Sequence, residues 1–259
     1  MKWHPPRAMA PAKQSVKSIV ERTAPGKLQK VGTRCAFRAV SATGRVRGRR
    51  LSGITRRLDA RVFSGAALPS FPTSGFRGRG VFGGIRRGAA VDSQVSRLAR
   101  LSARHRARAR MLKLTRLTFD ALTHHGLTPI SSQRVVLDEA RGIATAVDVV
   151  CVKGAELVLV ELKTGYSGSR TAQACSGVPA WLRAPFATAK DCALHRHLAQ
   201  LAATVALFDA ERATAAALGE AGVEAVTAAL LYVDDQGSEL HALPDWWRRR
   251  GARLLGVLS

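Results

Sequence analysis

Apolar positions follow different patterns in the two halves of the chain. From Met1 to about Ala90 they show no sustained period, and Arg, Ser, Gly, Ala and Pro dominate. Such a segment cannot bury enough apolar surface to offset the entropy lost on ordering, so residues 1–90 are predicted to be mostly disordered. From Ser93 to about His124 the apolar residues recur at mostly helical spacing, which predicts one long helix or two consecutive ones, with Ser93 near the N-cap.

Three strand-like runs follow Gly126. They are Gln133 to Asp138, Ile143 to Val152 and Leu157 to Lys163. Arg141-Gly142 and Lys153-Gly154 separate them, and turn residues between β-branched runs predict an antiparallel meander of three strands. The irregular, Gly- and Pro-containing stretch from Thr164 to about Asp191 is long enough to be a functional loop lining a cleft.

The last part of the chain returns to helical and strand periods. In order, the pattern predicts a helix from about Cys192 to Leu218, strands over Val223 to Val233 and Ser238 to Leu243, and a closing helix over Asp245 to Leu255. The succession of elements from residue 91 to 259 predicts one domain of the α/β (α+β) class.

Charge reinforces this division. The formal net charge is +23, and 28 of the 41 Lys and Arg residues, but 4 of the 18 Asp and Glu residues, precede Gly126. Such an excess favours a polyanionic partner, because each cation that neutralises a phosphate releases a condensed counterion. Nucleic acid is the first candidate; a membrane surface or an organelle import receptor would also accept a basic arm.

Arginines also mark the predicted first helix. Arg97, Arg100, Arg104 and Arg108 lie at steps of three, four and four, which would align them on one helical face. We interpret them as candidate phosphate contacts, with a merely solvated face as the alternative. The composition of residues 1–90 fits both a sequence-tolerant nucleic-acid-binding tail and an organelle transit segment.

The cysteines and the lengths of the apolar runs indicate the cellular compartment. Cys35, Cys151, Cys175 and Cys192 form no CxxC pair, which argues against a zinc ribbon or a disulfide framework and favours a reduced, intracellular compartment. No apolar run is long enough for a membrane span or a signal peptide core. We therefore expect a soluble protein of the nucleus or cytoplasm, or of an organelle if the arm is a transit peptide; its oligomeric state is not determined by the sequence.

Three charged residues interrupt the apolar strands. Glu161 and Lys163 alternate with Leu162 and so share one face of their strand, and the hairpin at Lys153-Gly154 can bring Asp148 beside them. Buried charges are costly unless they are paired or bind a metal. A buried ion pair is the structural alternative, whereas two carboxylates on one rigid sheet suit Mg²⁺ or Mn²⁺.

Such a site has the chemistry for phosphodiester hydrolysis. A divalent cation on Asp148 and Glu161, with the Leu162 carbonyl as a third oxygen ligand, would neutralise the scissile phosphate. Lys163 could orient or deprotonate the attacking water.

The order of a strand Asp, a hairpin, Glu161-Leu162-Lys163 and a helix resembles the PD-(D/E)XK nuclease superfamily over about Ser93 to Leu243. This resemblance implies a restriction-endonuclease-like αβββαβ core, with a mixed central sheet flanked by helices, and Mg²⁺-dependent deoxyribonuclease activity. Val147 stands where the family motif has its proline. Within the superfamily, ELKTG and Gln200-Leu201 look most similar to the RecB-type exonuclease branch, which implies a catalytic-site role for Gln200.

The branch also implies further site residues. An upstream acid or histidine often serves as an extra ligand there, and Asp92 or Gln133 is the candidate here. The cysteine spacing does not fit the iron–sulfur cluster of some relatives, so we expect none. Tyr166 lies where a substrate strand would pass. His197, three residues before Gln200, is interpreted as a surface histidine.

The leading hypothesis is therefore a metal-dependent nuclease that acts in DNA repair, recombination or replication. A virus or another mobile element is one source considered for such an enzyme. A structure-selective endonuclease such as a junction resolvase shares the same triad. A non-catalytic nucleic-acid-binding protein that retains the fold is the alternative from another class, and the intact Asp148, Glu161 and Lys163 argue against it.

Overall fold

The computed structural model describes residues 13–25, 27–30, 36–40, 46–65, 80–164, 175 and 177–259. The helices are α1 (Lys13–Arg22), α2 (Ile54–Arg61), α3 (Gly80–Leu98), α4 (Ala103–Ala107), α5 (Lys113–His124), α6 (Ala193–Asp209), α7 (Arg212–Glu220) and α8 (Asp245–Val257). The strands are β1 (Lys27–Lys30), β2 (Ala36–Val40), β3 (Val46–Gly53), β4 (Thr128–Asp138), β5 (Ile143–Lys153), β6 (Glu156–Thr164), β7 (Ala225–Asp234) and β8 (Gly237–Ala242).

All eight strands belong to one mixed sheet. The predicted meander is confirmed, since β5 pairs antiparallel with both β4 and β6. Strand β7 then lies parallel to β6 and antiparallel to β8. On its other flank the sheet is extended by the antiparallel strands β1, β2 and β3, and β3 joins the beginning of β5 in parallel. The mixed sheet flanked by helices confirms the α+β class.

Helices cover both faces of the sheet. Helices α1, α2, α6 and α8 share one apolar core with β5 and β6, through residues such as Val16, Leu58, Leu198 and Leu254. Helices α3 and α5 form a second core on the opposite face, through residues such as Val95 and Leu122. Because alternate residues of a strand face opposite sides, Leu157 and Leu159 of β6 lie in the first core while Val158 and Val160 lie in the second.

Part of the N-terminal segment is ordered, so the prediction of disorder over residues 1–90 is wrong for its described ranges. Helix α1 buries Val16, Ile19 and Val20, and helix α2 buries Ile54 and Leu58, all in the core beneath the sheet. These apolar residues are few, but they lie three or four positions apart and supply one buried face to each helix. Residues 1–12, 26, 31–35, 41–45 and 66–79 lie outside the described residues.

The helices before and after the meander also differ from the prediction. Helix α3 begins at Gly80, so Ser93 lies within it and is not an N-cap. The chain then turns at residues 99–102 before α4. Arg97, Arg100, Arg104 and Arg108 are all exposed, but this turn divides them between two elements, so the prediction of one continuous arginine face is wrong. The predicted helix over Cys192 to Leu218 is two helices, α6 and α7, because the chain turns at Ala210.

Helix α6 buries 12 of its 17 residues, and α8 packs closely on it. A Cβ atom at Gly251 of α8 would lie 2.6 Å from the carbonyl oxygen of Ala202 in α6. Only glycine permits this approach without moving one helix. The contact fixes α8 against α6, the helix that carries Gln200.

The expectation of no disulfide is wrong for one pair of cysteines. Cys175 and Cys192 are bonded, with their Cα atoms 5.4 Å apart. The pair is separated by 17 residues in sequence. Short-range spacing motifs do not detect such a pair, because it depends on the chain returning from β6 to the start of α6. Cys151 is a free cysteine buried in the core.

Among the described helices, none combines the length and the apolar character needed to cross a lipid bilayer.

Candidate active site

The site forms where β5 and β6 separate. Their antiparallel ladder ends at the pair Val149 and Val160, one residue before Asp148 on β5 and Glu161 on β6. Beyond this point the Leu162 amide donates its hydrogen bond to Asp148 Oδ2, at 2.9 Å. The Asp148 side chain thus replaces the missing backbone partner, and it is held between the two strands.

Glu161 and Lys163 continue the β6 face that carries Leu157 and Leu159, and so they point toward α6. Lys163 Nζ lies 2.7 Å from Glu161 Oε1, and the two side chains are 15% and 5% exposed. The predicted placement of both residues on one strand face beside Asp148 is therefore found. The pair is largely withdrawn from water, where a charge–charge contact is stronger than on the surface.

Gln200 of α6 completes this part of the site. Its Nε2 donates to Glu161 Oε1 at 2.6 Å, and its Oε1 accepts from Lys163 Nζ at 3.2 Å. One amide therefore holds both charged groups, which fixes their positions relative to the helix. The predicted proximity of Gln200 to Glu161 and Lys163 is confirmed, while its role in catalysis stays a prediction.

Gln133 and Asp92 approach from the other side of Asp148. Gln133 has a φ of 51°, the only positive φ of a non-glycine residue in the described part of the chain. Such a conformation costs on the order of 1–3 kcal/mol and is typical of functional sites. Gln133 Nε2 donates to Asp92 Oδ1 at 2.9 Å and to Asp148 Oδ1 at 3.3 Å. Gln133 therefore links α3, β4 and β5 at the site.

The carboxylates carry an excess of negative charge. Burial raises the pKa of Asp148 well above its usual range, and the nearby Glu161 carboxylate raises it further. Burial also raises the pKa of Asp92, again with a contribution from Glu161. The Lys163 ammonium opposes both shifts. Among the described side chains, three carboxyl groups thus surround one lysine, an arrangement that favours an additional cation.

A buried polar pair lies beside Lys163. Tyr232 of β7 is the parallel partner of Lys163 and is 1% exposed. Its hydroxyl and His197 Nδ1 are 2.8 Å apart. The interpretation of His197 as a surface residue is wrong, because α6 turns it inward one helical turn before Gln200. Burial lowers the pKa of His197 well below its usual value, and the charges of Lys163 and Arg196 lower it further.

The other predicted residues do not join this cluster. Arg97, Arg100, Arg104 and Arg108 are exposed on or near α3 and α4. Tyr166 lies outside the described residues. Leu162 contributes its amide to Asp148, and the role of its carbonyl as a metal ligand stays a prediction.

Sequence reasoning missed two features of this site. The hydrogen bond between Gln133 and Asp148 follows from the β4–β5 register, in which Ser132 pairs with Val149 and Arg134 with Val147. The sequence of a single strand does not predict which of its residues pair with which residues of the neighbouring strand. The His197–Tyr232 pair had a usable signal, since His197 is on the same side of its helix as Gln200 and Tyr232 interrupts an apolar strand.

A second group of possible metal ligands lies at the start of α6. Cys175, Cys192 and His195 have ligand atoms within 4.8 Å of one another, and within the described ranges no other three His, Cys, Asp or Glu residues do. The carboxylate oxygens of Asp92, Asp148 and Glu161 therefore do not all lie within this distance of one another.

Comparisons of the chain with protein families, curated proteins and solved structures found no match.

Proposed function

We propose that the chain is a divalent-metal-dependent nuclease with a restriction-endonuclease-like core and with Asp148, Glu161 and Lys163 as its active site. One observation carries the proposal: two carboxylates and a lysine from adjacent strands meet, largely buried, where the ladder between these strands ends. Helix α3, strands β4 to β6, helix α6 and strand β7 follow the αβββαβ order of that core.

The residues of the site fit a hard divalent cation. Asp148 and Glu161 offer carboxylate oxygens, and burial, with the neighbouring Glu161 carboxylate adding to the effect, raises the pKa of Asp148. Mg²⁺ keeps several waters and is commonly held by one or two carboxylates, so Asp148 and Glu161 are enough protein ligands for it. Asp148 and Glu161 would hold Mg²⁺ or Mn²⁺, with Asp92 or Gln133 next to it. The cation would supply charge neutralisation at the scissile phosphate and a more acidic bound water.

The chain's own residues would position the reacting groups. Lys163 is a charged donor held by Glu161 and Gln200, so its ammonium can orient a water or offset charge that develops on the phosphate. Gln200 restricts the movement of both side chains. The strained backbone of Gln133 directs its amide at Asp148, which restrains that carboxylate as well.

The substrate is nucleic acid, with DNA favoured over RNA. The net charge of +23 supports a polyanionic partner, and the exposed arginines of α3 and α4 are available for phosphate contacts. The contacts of Gln200 favour the RecB-type exonuclease branch over a junction resolvase. Repair, recombination or replication would be the corresponding process.

The test uses purified full-length protein with end-labelled linear, circular and single-stranded DNA, and with RNA. Each substrate is incubated with Mg²⁺, with Mn²⁺ and with a chelator. We expect metal-dependent cleavage of linear DNA and little cleavage of closed circles. Cleavage of circular DNA would favour the endonuclease alternative, and cleavage that persists in Glu161→Gln would exclude this site as its source. Asp120→Asn, at an exposed acid of α5, is the control.

A further inference from the structure

We propose that Cys175, Cys192 and His195 form a second metal site, which binds a soft divalent cation such as Zn²⁺ when the cysteine pair is reduced. The two sulfur atoms and one imidazole nitrogen lie within 4.8 Å of one another. Thiolate and imidazole are the ligands that Zn²⁺ prefers, whereas Mg²⁺ prefers oxygen. The donor set therefore differs in kind from that of Asp148 and Glu161.

A hydrogen bond fixes the tautomer of His195. Its Nδ1 lies 2.7 Å from the carbonyl oxygen of Lys190, and because a carbonyl only accepts, Nδ1 carries the proton. The Nε2 atom then has the lone pair that a metal needs. A hydrogen bond from the other ring nitrogen to a carbonyl or carboxylate is the usual support of a metal-binding histidine. The His195 ring also packs against Trp247, with ring centroids 5.4 Å apart, which limits its rotation.

The surroundings favour thiolates at these cysteines. Cys192 is the N-cap of α6, where the free amides and the helix dipole stabilise a negative charge. Cys175 and Cys192 are 3% and 4% exposed. Two thiolates withdrawn from water at one place would repel each other unless a cation neutralises them. A bound divalent cation supplies that charge.

The change from disulfide to metal site needs little movement. The Cα atoms are 5.4 Å apart. A Zn–S distance of about 2.3 Å in tetrahedral geometry places the two sulfurs about 3.8 Å apart, which side-chain rotation can provide. A phosphine reductant and one water convert the disulfide into two thiols and a phosphine oxide. Metal binding then releases two protons from these thiols, and a water can occupy the fourth position.

The site would join two parts of the chain that neighbour the proposed active-site residues in sequence. Cys175 follows β6, which ends just after Lys163, and Cys192 begins the helix that carries Gln200. Either the disulfide or the metal would hold these parts together. The site is inferred from its own ligands, so it does not depend on the nuclease proposal.

The test uses Co²⁺ as the probe. Full-length protein is reduced with a phosphine without oxygen, freed of metal and titrated with Co²⁺. We expect one thiolate-bound Co²⁺ per chain, detected by its thiolate-to-cobalt charge-transfer absorption. The oxidised protein should show no such absorption. Co²⁺ at carboxylates does not give this band. Reduced, folded protein without the band would overturn the proposal.

Variants identify the ligands. Cys175→Ser and Cys192→Ser should abolish or strongly weaken the band, and His195→Gln should weaken Co²⁺ binding at least ~10-fold through the loss of a ligand. Cys151→Ser and Cys35→Ser are the matched controls and should keep it. An unchanged band in Cys192→Ser would refute the assignment.

A second measurement covers the case in which a variant fails to fold. Reduced wild-type protein is alkylated with and without Zn²⁺, and the modified cysteines are identified by mass spectrometry. Zn²⁺ should slow modification of Cys175 and Cys192 at least ~10-fold, since bound thiolates are poor nucleophiles. Equal modification with and without Zn²⁺ would overturn the proposal.

Discussion

Two groups of buried charges lie on this sheet, and they differ in their balance. On β4, the side chain of Arg134 is 1% exposed and forms an ion pair with Glu211 at 2.5 Å. Both oxygens of Glu211 accept from this guanidinium, and Thr23 and Thr214 accept from it too. One cation thus meets one anion, and the contacts join β4 to helix α7 and to the end of α1.

The β5–β6 site has no such balance. Within the described part of the chain, Asp92, Asp148 and Glu161 lie around one ammonium, that of Lys163. Burial raises the pKa of Asp92 and of Asp148, and the neighbouring carboxylates raise both further. A charge group that serves only the fold is expected to be neutral overall, because uncompensated buried charge is costly. The excess of negative charge is what distinguishes a metal-binding interpretation from the buried ion pair that the sequence left open.

The largest expected effect is on catalysis at the unbalanced site. Glu161→Gln, Asp148→Asn and Lys163→Met should each lower the rate of DNA cleavage about 1,000-fold, because each removes several kcal/mol of transition-state stabilisation. Double variants should cost little more than single ones, since the residues act as a unit. Single-turnover cleavage measures the rate, and additive losses would contradict a shared centre.

Substitution in the balanced group, the ion pair of Arg134 with Glu211, should change the free energy of unfolding and not catalysis. Arg134→Met leaves Glu211 partly buried without its partner, so the free energy of unfolding should fall by about 3–5 kcal/mol. The cleavage rate per folded molecule should not change. Denaturant unfolding measures the loss, with Arg141→Met as the control. The ion pair of Arg141 with Asp138 is more exposed, so its removal should cost less than about 1 kcal/mol. Equal losses in the two variants would remove the contrast between the groups.

The unbalanced site should be destabilising until a metal binds. In a chelator, Asp148→Asn should raise the free energy of unfolding by about 0.5–2 kcal/mol, because it removes one of the repelling charges. Mg²⁺ at 10 to 100 times its dissociation constant should stabilise the wild-type protein by about 1.4–2.7 kcal/mol and leave this variant unchanged. Thermal unfolding with and without Mg²⁺ measures both. A variant that Mg²⁺ still stabilises would place the cation elsewhere.

The smallest expected effect is the pH dependence from His197. Its pKa in the folded protein is lowered, chiefly by burial, with the charges of Lys163 and Arg196 adding to the effect. The neutral form is therefore favoured by folding, and its contribution is complete above the unfolded value of about 6.5. Stability should then fall as the pH is lowered from there through the folded pKa, by about 1.4 kcal/mol per pH unit at most.

His197→Gln should reduce this loss of stability at acid pH, because glutamine takes up no proton. Urea unfolding in a chelator at several pH values measures the difference between the two proteins. The Tyr232 hydroxyl faces His197, so Tyr232→Phe tests the partner separately. An equal acid loss in wild type and His197→Gln would show that other groups cause it.

Sequence reasoning succeeded where the signal was local. The strands β5 to β8 and helix α8 were predicted to within two residues of their ends, because alternating apolar residues and turn residues act within a few positions. Strand β4 was predicted only from Gln133, five residues after its start at Thr128. The two-residue period of a strand also predicts that Glu161 and Lys163 lie on the same face of β6. The role expected of Gln200 came from the resemblance, and the structure places its amide against Glu161 and Lys163.

Sequence reasoning failed where the feature depends on residues far apart in the chain, or where a few apolar residues lie in a polar segment. Val16, Ile19 and Ile54 are isolated apolar residues in an arginine-rich segment, and only the core beneath the sheet shows what they pack against. The disulfide of Cys175 with Cys192 depends on how the chain folds back. The positive φ of Gln133 is imposed by its neighbours in the sheet and has no sequence signature.

The central claim is that Asp148 and Glu161 bind a catalytic divalent cation. Crystals soaked with Mn²⁺ test it most directly, because anomalous scattering locates the ion without assumptions about activity. We predict a peak between the Asp148 and Glu161 carboxylates, absent in Glu161→Gln and retained in Asp120→Asn. A structure with no peak there, and with Glu161 still bound to Lys163 and Gln200 at saturating Mn²⁺, would contradict the account.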